Sequence, residues 1–352
     1  VAIGTVSHGM RKNLLHIDEI RFFVIHLILI NHWMGSVALI MDKVDKSMID
    51  FWFELTSPSL SMISGYLFFY KTREKFDFRK KLNARFHSLI IPYLFWSISF
   101  FVLYFLIKMV YLQIFHTAFW YAPVKPITLQ NFFLTIANPP LINFWYIQNL
   151  ILIIPFNYLL YFLLKNKYLF FVFYAAILVI YSFDLVNLYF SPRFLPFYLL
   201  GCFFGYNQRY VPQIQLNRVS SFLLVLLLVY IGTASSDQDY SGILTVLRKI
   251  VIVIFFLVSI FNVMDSSQKS WVFRYLQKFK DYSFFLFAIH MFLFTVVQRS
   301  LLKIGLENHL GNKYNALLFS VVSMLIVLVI ALSLGTFLKT RFSKFYYFIT
   351  GR

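Results

Sequence analysis

The sequence predicts an all-α polytopic membrane protein of about ten transmembrane helices, with both termini cytoplasmic. Three observations carry this. The 352 residues are 60% hydrophobic and 13% charged, about half the charge of an ordinary soluble domain, and the mean hydropathy is +0.72. Apolar runs long enough to cross a hydrocarbon core of about 30 Å recur along the chain. Lys and Arg fall mainly in alternate connections, as the positive-inside rule requires. An outer-membrane barrel would show short alternating strands instead, and the sequence has no such alternation.

Taken in order, the candidate spans are roughly 20–41, 51–70, 89–112, 144–164, 168–186, 194–208, 219–234, 243–263, 282–298 and 314–338. An even number returns the chain to its starting side. That side holds Arg11 and Lys12, and the 71–88 loop with Lys71, Arg73, Lys75, Arg79, Lys80, Lys81 and Arg85. It also holds Lys165, Lys167, Arg209, Arg218, Lys269, Arg274, Lys278, Lys280 and the basic tail from Lys339. Against these stand Lys43, Lys46, Lys125, Arg193, Arg299, Lys303 and Lys313. The net charge of +18 therefore reads as a topology signal and a contact with anionic lipid. Nucleic acid becomes an unnecessary partner, and the predicted location is the cytoplasmic (inner) membrane.

The sixth span is short and contains Pro196, Gly201 and Gly205, which predict a tilted or broken helix. The long aromatic and proline-rich segment 113–143 is expected at the outer interface or folded back into the bundle mouth. Neither an internal repeat nor a long linker appears. Residues 20–338 thus form one domain between cytoplasmic tails 1–19 and 339–352. Cys202 is the one cysteine, which excludes an intrachain disulfide. No metal-ligand spacing or glycine-rich phosphate loop is present, and no metal is expected.

The stretch "EIRFFVIHLILINHW" at 19–33 puts Arg21, His26, Asn31 and His32 into an apolar run, where each is costly without a partner. Eleven helical steps turn roughly 1,100°, so Arg21 and His32 share a face, with a rise of about 16 Å between them. Arg21 at the cytoplasmic edge then sets His32 near the midplane, and His26 faces elsewhere. A neutral imidazole there can take a hydroxyl proton or act as a nucleophile, while Arg21 favours an anion such as phosphate. Hydrogen bonding between helices is the other use of Asn31 and His32; the shared face with Arg21 favours a site.

"SPSLSMISGYLFF" at 57–69 is rich in small residues, which serve close helix packing and leave hydroxyls for one side of a cavity. The 71–88 loop suits anionic lipid or docking of a phosphate-rich ligand, with Arg85 the best placed because it adjoins the third span. "DYSFFLFAIHMFLF" at 281–294 buries a second histidine, His290. Whether it meets His32 does not follow from spacing.

These pieces together resemble the acyltransferase-3 family of integral-membrane acyltransferases. "IDEIRFFVIHLILINH" supplies an Arg, ten residues, then His. "PSLSMISGYLFF", "ARFHSLIIPYLFW", "NFWYIQNLIL", "FYLLGCFFG" and "FLFAIHMFLF" follow in the family's order over about 17–295. Leu60 and Ser61 stand where the family has an aromatic pair, Ser88 where many members have a second arginine, and Gln148 where a basic residue is common. The resemblance implies acetyl-CoA or another acyl-CoA as donor and a sugar hydroxyl as acceptor, on a surface polysaccharide, glycolipid or lipid-linked precursor. It implies coenzyme A phosphates held by Arg21, Arg79, Lys81 and Arg85, with His32 as base or acyl carrier. It further implies His290 assisting, and Ser64, Tyr66, Trp145 and Tyr146 shaping the acyl slot. The alternative is a glycolipid transporter or flippase, marked by repeats and broken helices at matching places in two halves.

Overall fold

The structure is a computed structural model. It describes residues 16–40, 46–73, 75–115, 130, 142–183, 185, 190, 191, 193–208, 217, 219–221, 223, 224, 226, 227, 243–303 and 313–352. Every regular element among the described residues is helical. Most of the seventh predicted span, most of the outer segment 113–143 and the first fifteen residues lie outside them.

The first two predicted spans coincide with helices α1 (Ile17–Ile40) and α2 (Lys46–Phe69). The third begins earlier than predicted, inside the supposed loop. Helix α3 (Phe78–Arg85) is capped by Asp77, whose carboxylate accepts from Lys80 N at 3.0 Å. It runs through a π-helical turn, Phe86–Ile90, into α4 (Ile91–Phe115). The wide turn precedes Pro92, which has no N–H to give and would crowd the carbonyl four residues back.

The fourth and sixth spans exchange the expected features. Residues 144–164 are broken into α5 (Trp145–Ile153) and α6 (Phe156–Lys165), bent by 64°. Pro155 sits at the break and removes a helical hydrogen bond there. The sixth span, α8 (Leu195–Tyr206), follows α7 (Lys167–Ser182) and is continuous over 12 residues. Its Pro196 lies in the first turn, where a missing N–H costs nothing. Its glycines serve packing: a Cβ on Gly201 would lie 2.0 Å from Met62 O, and one on Gly205 2.3 Å from Tyr66 O. The backbones of α2 and α8 thus touch along a small-xxx-small seam.

Helices α9 (Ile243–Ser266), α11 (Ser283–Lys303) and α12 (Lys313–Arg341) match later spans. Two stretches outside the predicted spans are helical. In α10 (Trp271–Phe279), capped by Ser270, Phe273 and Leu276 face inward while Trp271 is 73% exposed. Its two faces differ as in a helix lying on an interface. The tail forms α13 (Ser343–Thr350), ended by Gly351 at φ +70°. Trp96 donates to Ile349 O at 2.9 Å, and the Asp281 carboxylate binds Lys339 at 2.7 Å and Arg352. Buried Glu19 pairs with Lys280 at 2.9 Å. The start of α1 and the end of α12 are therefore held to one corner.

Among the described residues four helices are long and apolar enough to cross a membrane, or five if the bent pair is one span. Their outward faces carry large apolar side chains, among them Leu159, Leu244, Val251 and Val329. That pattern is stable against lipid and not against water.

Candidate active site

Helix α1 places Arg21 in its second turn. Its guanidinium reaches Asp18 at 3.3 Å and is 41% exposed at the edge of the bundle, so this ion pair is a weak tether. Arg21 opens onto a cavity of about 100 Å³, lined also by Ser64 from α2, Arg85 from the end of α3, Tyr146 from α5 and Tyr198 from α8. Leu60, Phe68, Leu89, Phe284 and Phe287 supply much of its apolar wall. The Ser64 and Tyr146 hydroxyls share a hydrogen bond of 2.8 Å, and the Tyr198 hydroxyl donates to Asn157 Oδ1 at 3.1 Å. Two guanidiniums and a hydroxyl pair therefore face one small, otherwise oily space, where charge-assisted hydrogen bonds to an anion are strong.

The other predicted residues separate. Of the α2 serines, Ser59 and Ser61 return their protons to carbonyls of their own helix, Leu55 O and Ser57 O. Lys81 donates to Phe68 O and lies over the Phe68 ring at 5.2 Å, where it satisfies a carbonyl at the α2 C-terminus. Arg85 lies 5.7 Å from the same ring. Arg79 is exposed and does not line the cavity. Tyr66 packs on Tyr70, and Trp145 on Tyr146; neither lines the cavity.

The two histidines His32 and His290 meet. The His32 and His290 rings are 5.3 Å apart between centroids, tilted by 40°. His290 is fully buried and its Nδ1–H donates to Phe287 O at 2.7 Å. That bond assigns the tautomer, so Nε2 carries the lone pair. Nε2 has no hydrogen-bond partner among the described residues. The pair stands beside the cavity and not in its lining; Phe287, which does line it, lies 5.9 Å from the His290 ring and 6.1 Å from that of Tyr146.

His26 faces away, as the helical angle requires. Its Nδ1–H donates to Phe22 O at 2.8 Å, and its Nε2 accepts from the Tyr275 hydroxyl at 3.0 Å. It fastens α10 to α1. Asn31 bonds Thr56 at 3.3 Å and joins α1 to α2. Sequence reasoning missed Tyr198 and Phe287, whose side chains look like ordinary core aromatics, and Asn143. A buried amide opening "NFWYIQNL" was the available signal for the last.

A family model described as an acyltransferase domain matches residues 14–336. The chain belongs to the acyltransferase-3 family. The match runs from just before Arg21 to near the end of α12, and so takes in every cavity residue. A 56-residue stretch is 41% identical to the succinoglycan biosynthesis protein ExoH of Rhizobium meliloti (strain 1021), covering 16% of this chain and 15% of that relative. No solved structure matches. Among the described residues no three His, Cys, Asp or Glu side chains cluster as metal ligands.

Proposed function

We propose that this acyltransferase moves an acyl group, acetyl in the simplest case, from acyl-CoA to a sugar hydroxyl. The acceptor would belong to a surface polysaccharide, a glycolipid or a lipid-linked precursor. The observation that carries the reading is the convergence of Arg21, Arg85, Ser64 and Tyr146 on one cavity, one aromatic ring from the His32–His290 pair. The short stretch shared with a succinoglycan biosynthesis protein supports a saccharide acceptor.

In this mechanism Arg21 and Arg85 grip coenzyme A phosphates at the edge of the bundle, with Lys81 and Arg79 adding positive field. The neutral imidazole of His32 takes the acceptor hydroxyl proton as the oxygen attacks the thioester carbonyl. The Ser64–Tyr146 hydroxyl pair donates to the oxyanion. The C–S bond then breaks, and the coenzyme A thiolate leaves with the proton from His32. Tyr66 and Trp145 back the walls of the slot, and His290 holds His32 in orientation.

The chain works in the inner membrane with ten spans, both termini in the cytoplasm and lipid around it. The contacts Glu19–Lys280 and Asp281–Lys339, which bring the start of α1 and the end of α12 together, support one side for both ends. A flippase reading draws on the bent pair α5–α6, but calls for a second break at the matching place of another half.

The test is label transfer from radiolabelled acetyl-CoA into the glycan and lipid fractions of membranes. His32→Ala is expected to lower it by about 100-fold or more, the usual weight of a general base. Undiminished transfer by a folded variant removes this mechanism.

A further inference from the structure

The Phe287 carbonyl accepts two side-chain donors: His290 Nδ1–H at 2.7 Å and Asn143 Nδ2–H at 2.7 Å. Asn143 lies in the short turn Ile142–Phe144 that opens α5, three residues before Tyr146 of the cavity. It is 2% exposed, and its Oδ1 has no hydrogen-bond partner among the described residues. Burying a primary amide with one end unsatisfied is costly, so helix adhesion alone is a poor return for it.

A ring hydrogen bond decides which nitrogen of a histidine carries the proton, and the group that receives that bond orients the ring. Here the receiver is a backbone oxygen on the histidine's own helix, three residues back. Such an oxygen is already engaged by the helical ladder, and a ring can slip from it; His290 Nδ1 also lies 3.2 Å from Leu286 O. Asn143 ties this oxygen to the turn that carries the cavity helix.

We propose that Asn143 is a positioning residue: by pinning the Phe287 carbonyl it keeps His290 as the Nδ1–H tautomer, with the bare Nε2 available to accept a proton from the neighbouring His32 ring. Asn143, the carbonyl and His290 then form one oriented series beside the His32 ring, 5.3 Å away between centroids, in which Asn143 never touches substrate. The inference rests on the reading of His32 and His290 as the proton-handling pair.

The experiment is solid-state NMR of ¹⁵N-histidine-labelled full-length protein in membranes, with the His290 signals assigned by their loss in His290→Phe. The wild type is expected to show His290 as the Nδ1–H tautomer alone. Asn143→Leu, close in volume, is expected to show both tautomers. It is also expected to lower kcat for acetyl transfer about tenfold, with KM for acetyl-CoA within about twofold. An Nε2–H tautomer or an imidazolium in the wild type overturns the proposal, as does an unchanged tautomer in Asn143→Leu. The wild-type spectrum decides even where the variant fails to fold. The expected spectra in a protein with no acyl transfer would support the positioning role and overturn the acyltransferase reading instead.

Discussion

Arg21 and His32 are eleven residues apart on one helix, yet they serve different surroundings. Arg21 is at a wet edge beside Asp18, whereas His32 meets the fully buried His290. A guanidinium is stable in the first setting and a neutral imidazole in the second. Arg85 is the more informative cation to change, because it lines the cavity while Lys81 is committed to Phe68 O. Lysine in its place keeps the charge and loses the planar fork that grips phosphate. Arg85→Lys should therefore raise KM for acetyl-CoA about tenfold, near 1.4 kcal/mol of binding, and leave kcat within about twofold. Steady-state kinetics on membranes checks this, and an unchanged KM would take Arg85 out of donor binding.

At the scale of elements, the α2–α8 contact positions Ser64 and Tyr198 on one wall. Gly201 and Gly205 are four residues apart on α8 and lie against the α2 backbone at Met62 and Tyr66. Neighbouring helices in lipid gain no hydrophobic drive from touching, so close backbone packing must supply the attraction. Gly201→Val puts methyl groups where even a Cβ has no room. Overpacking of this kind costs about 1–3 kcal/mol. Thermal unfolding in detergent should fall by several degrees, with acyl transfer lost as the wall shifts; an unchanged melting temperature would mean the helices part more easily than the contact suggests. The bend at Pro155 acts on the same scale. It separates α5, which carries Tyr146 to the cavity, from α6, whose Asn157 holds the Tyr198 hydroxyl.

Across the whole molecule, polar contacts gather at one corner. Glu19 holds Lys280, and Asp281 holds Lys339 and Arg352. The Tyr346 hydroxyl donates to Asp281 O, and Trp96 to Ile349 O. These bonds tie α1, α4, α12, α13 and the turn Lys280–Tyr282 that leads into α11 together at the end where Arg21 and Arg85 open. A cysteine introduced as Lys344→Cys should react with a membrane-impermeant maleimide in everted vesicles and not in intact cells. Cys202 is fully buried and gives little background. Labelling in intact cells would reverse the topology and place the cavity mouth outside.

The reach of the sequence differs at each scale, for physical reasons. Membrane helices must satisfy their own backbone, so hydropathy and basic loops alone placed α1, α2, α9, α11 and α12, and helical geometry alone separated the face of Arg21 and His32 from that of His26. Proline is locally ambiguous: the same missing N–H breaks the chain at Pro155 and is harmless at Pro196, depending on where the helix starts. The amphipathic α10 and the tail helix α13 were hidden because their apolar faces are too short for a span. Periodicity within one helix says nothing about its neighbour across the bundle. Hence the meeting of His32 with His290, the shared bond of Ser64 and Tyr146, and the hold of Asn143 on Phe287 belong to tertiary structure alone, where contacts between residues 82, 144 or 258 positions apart are set by packing.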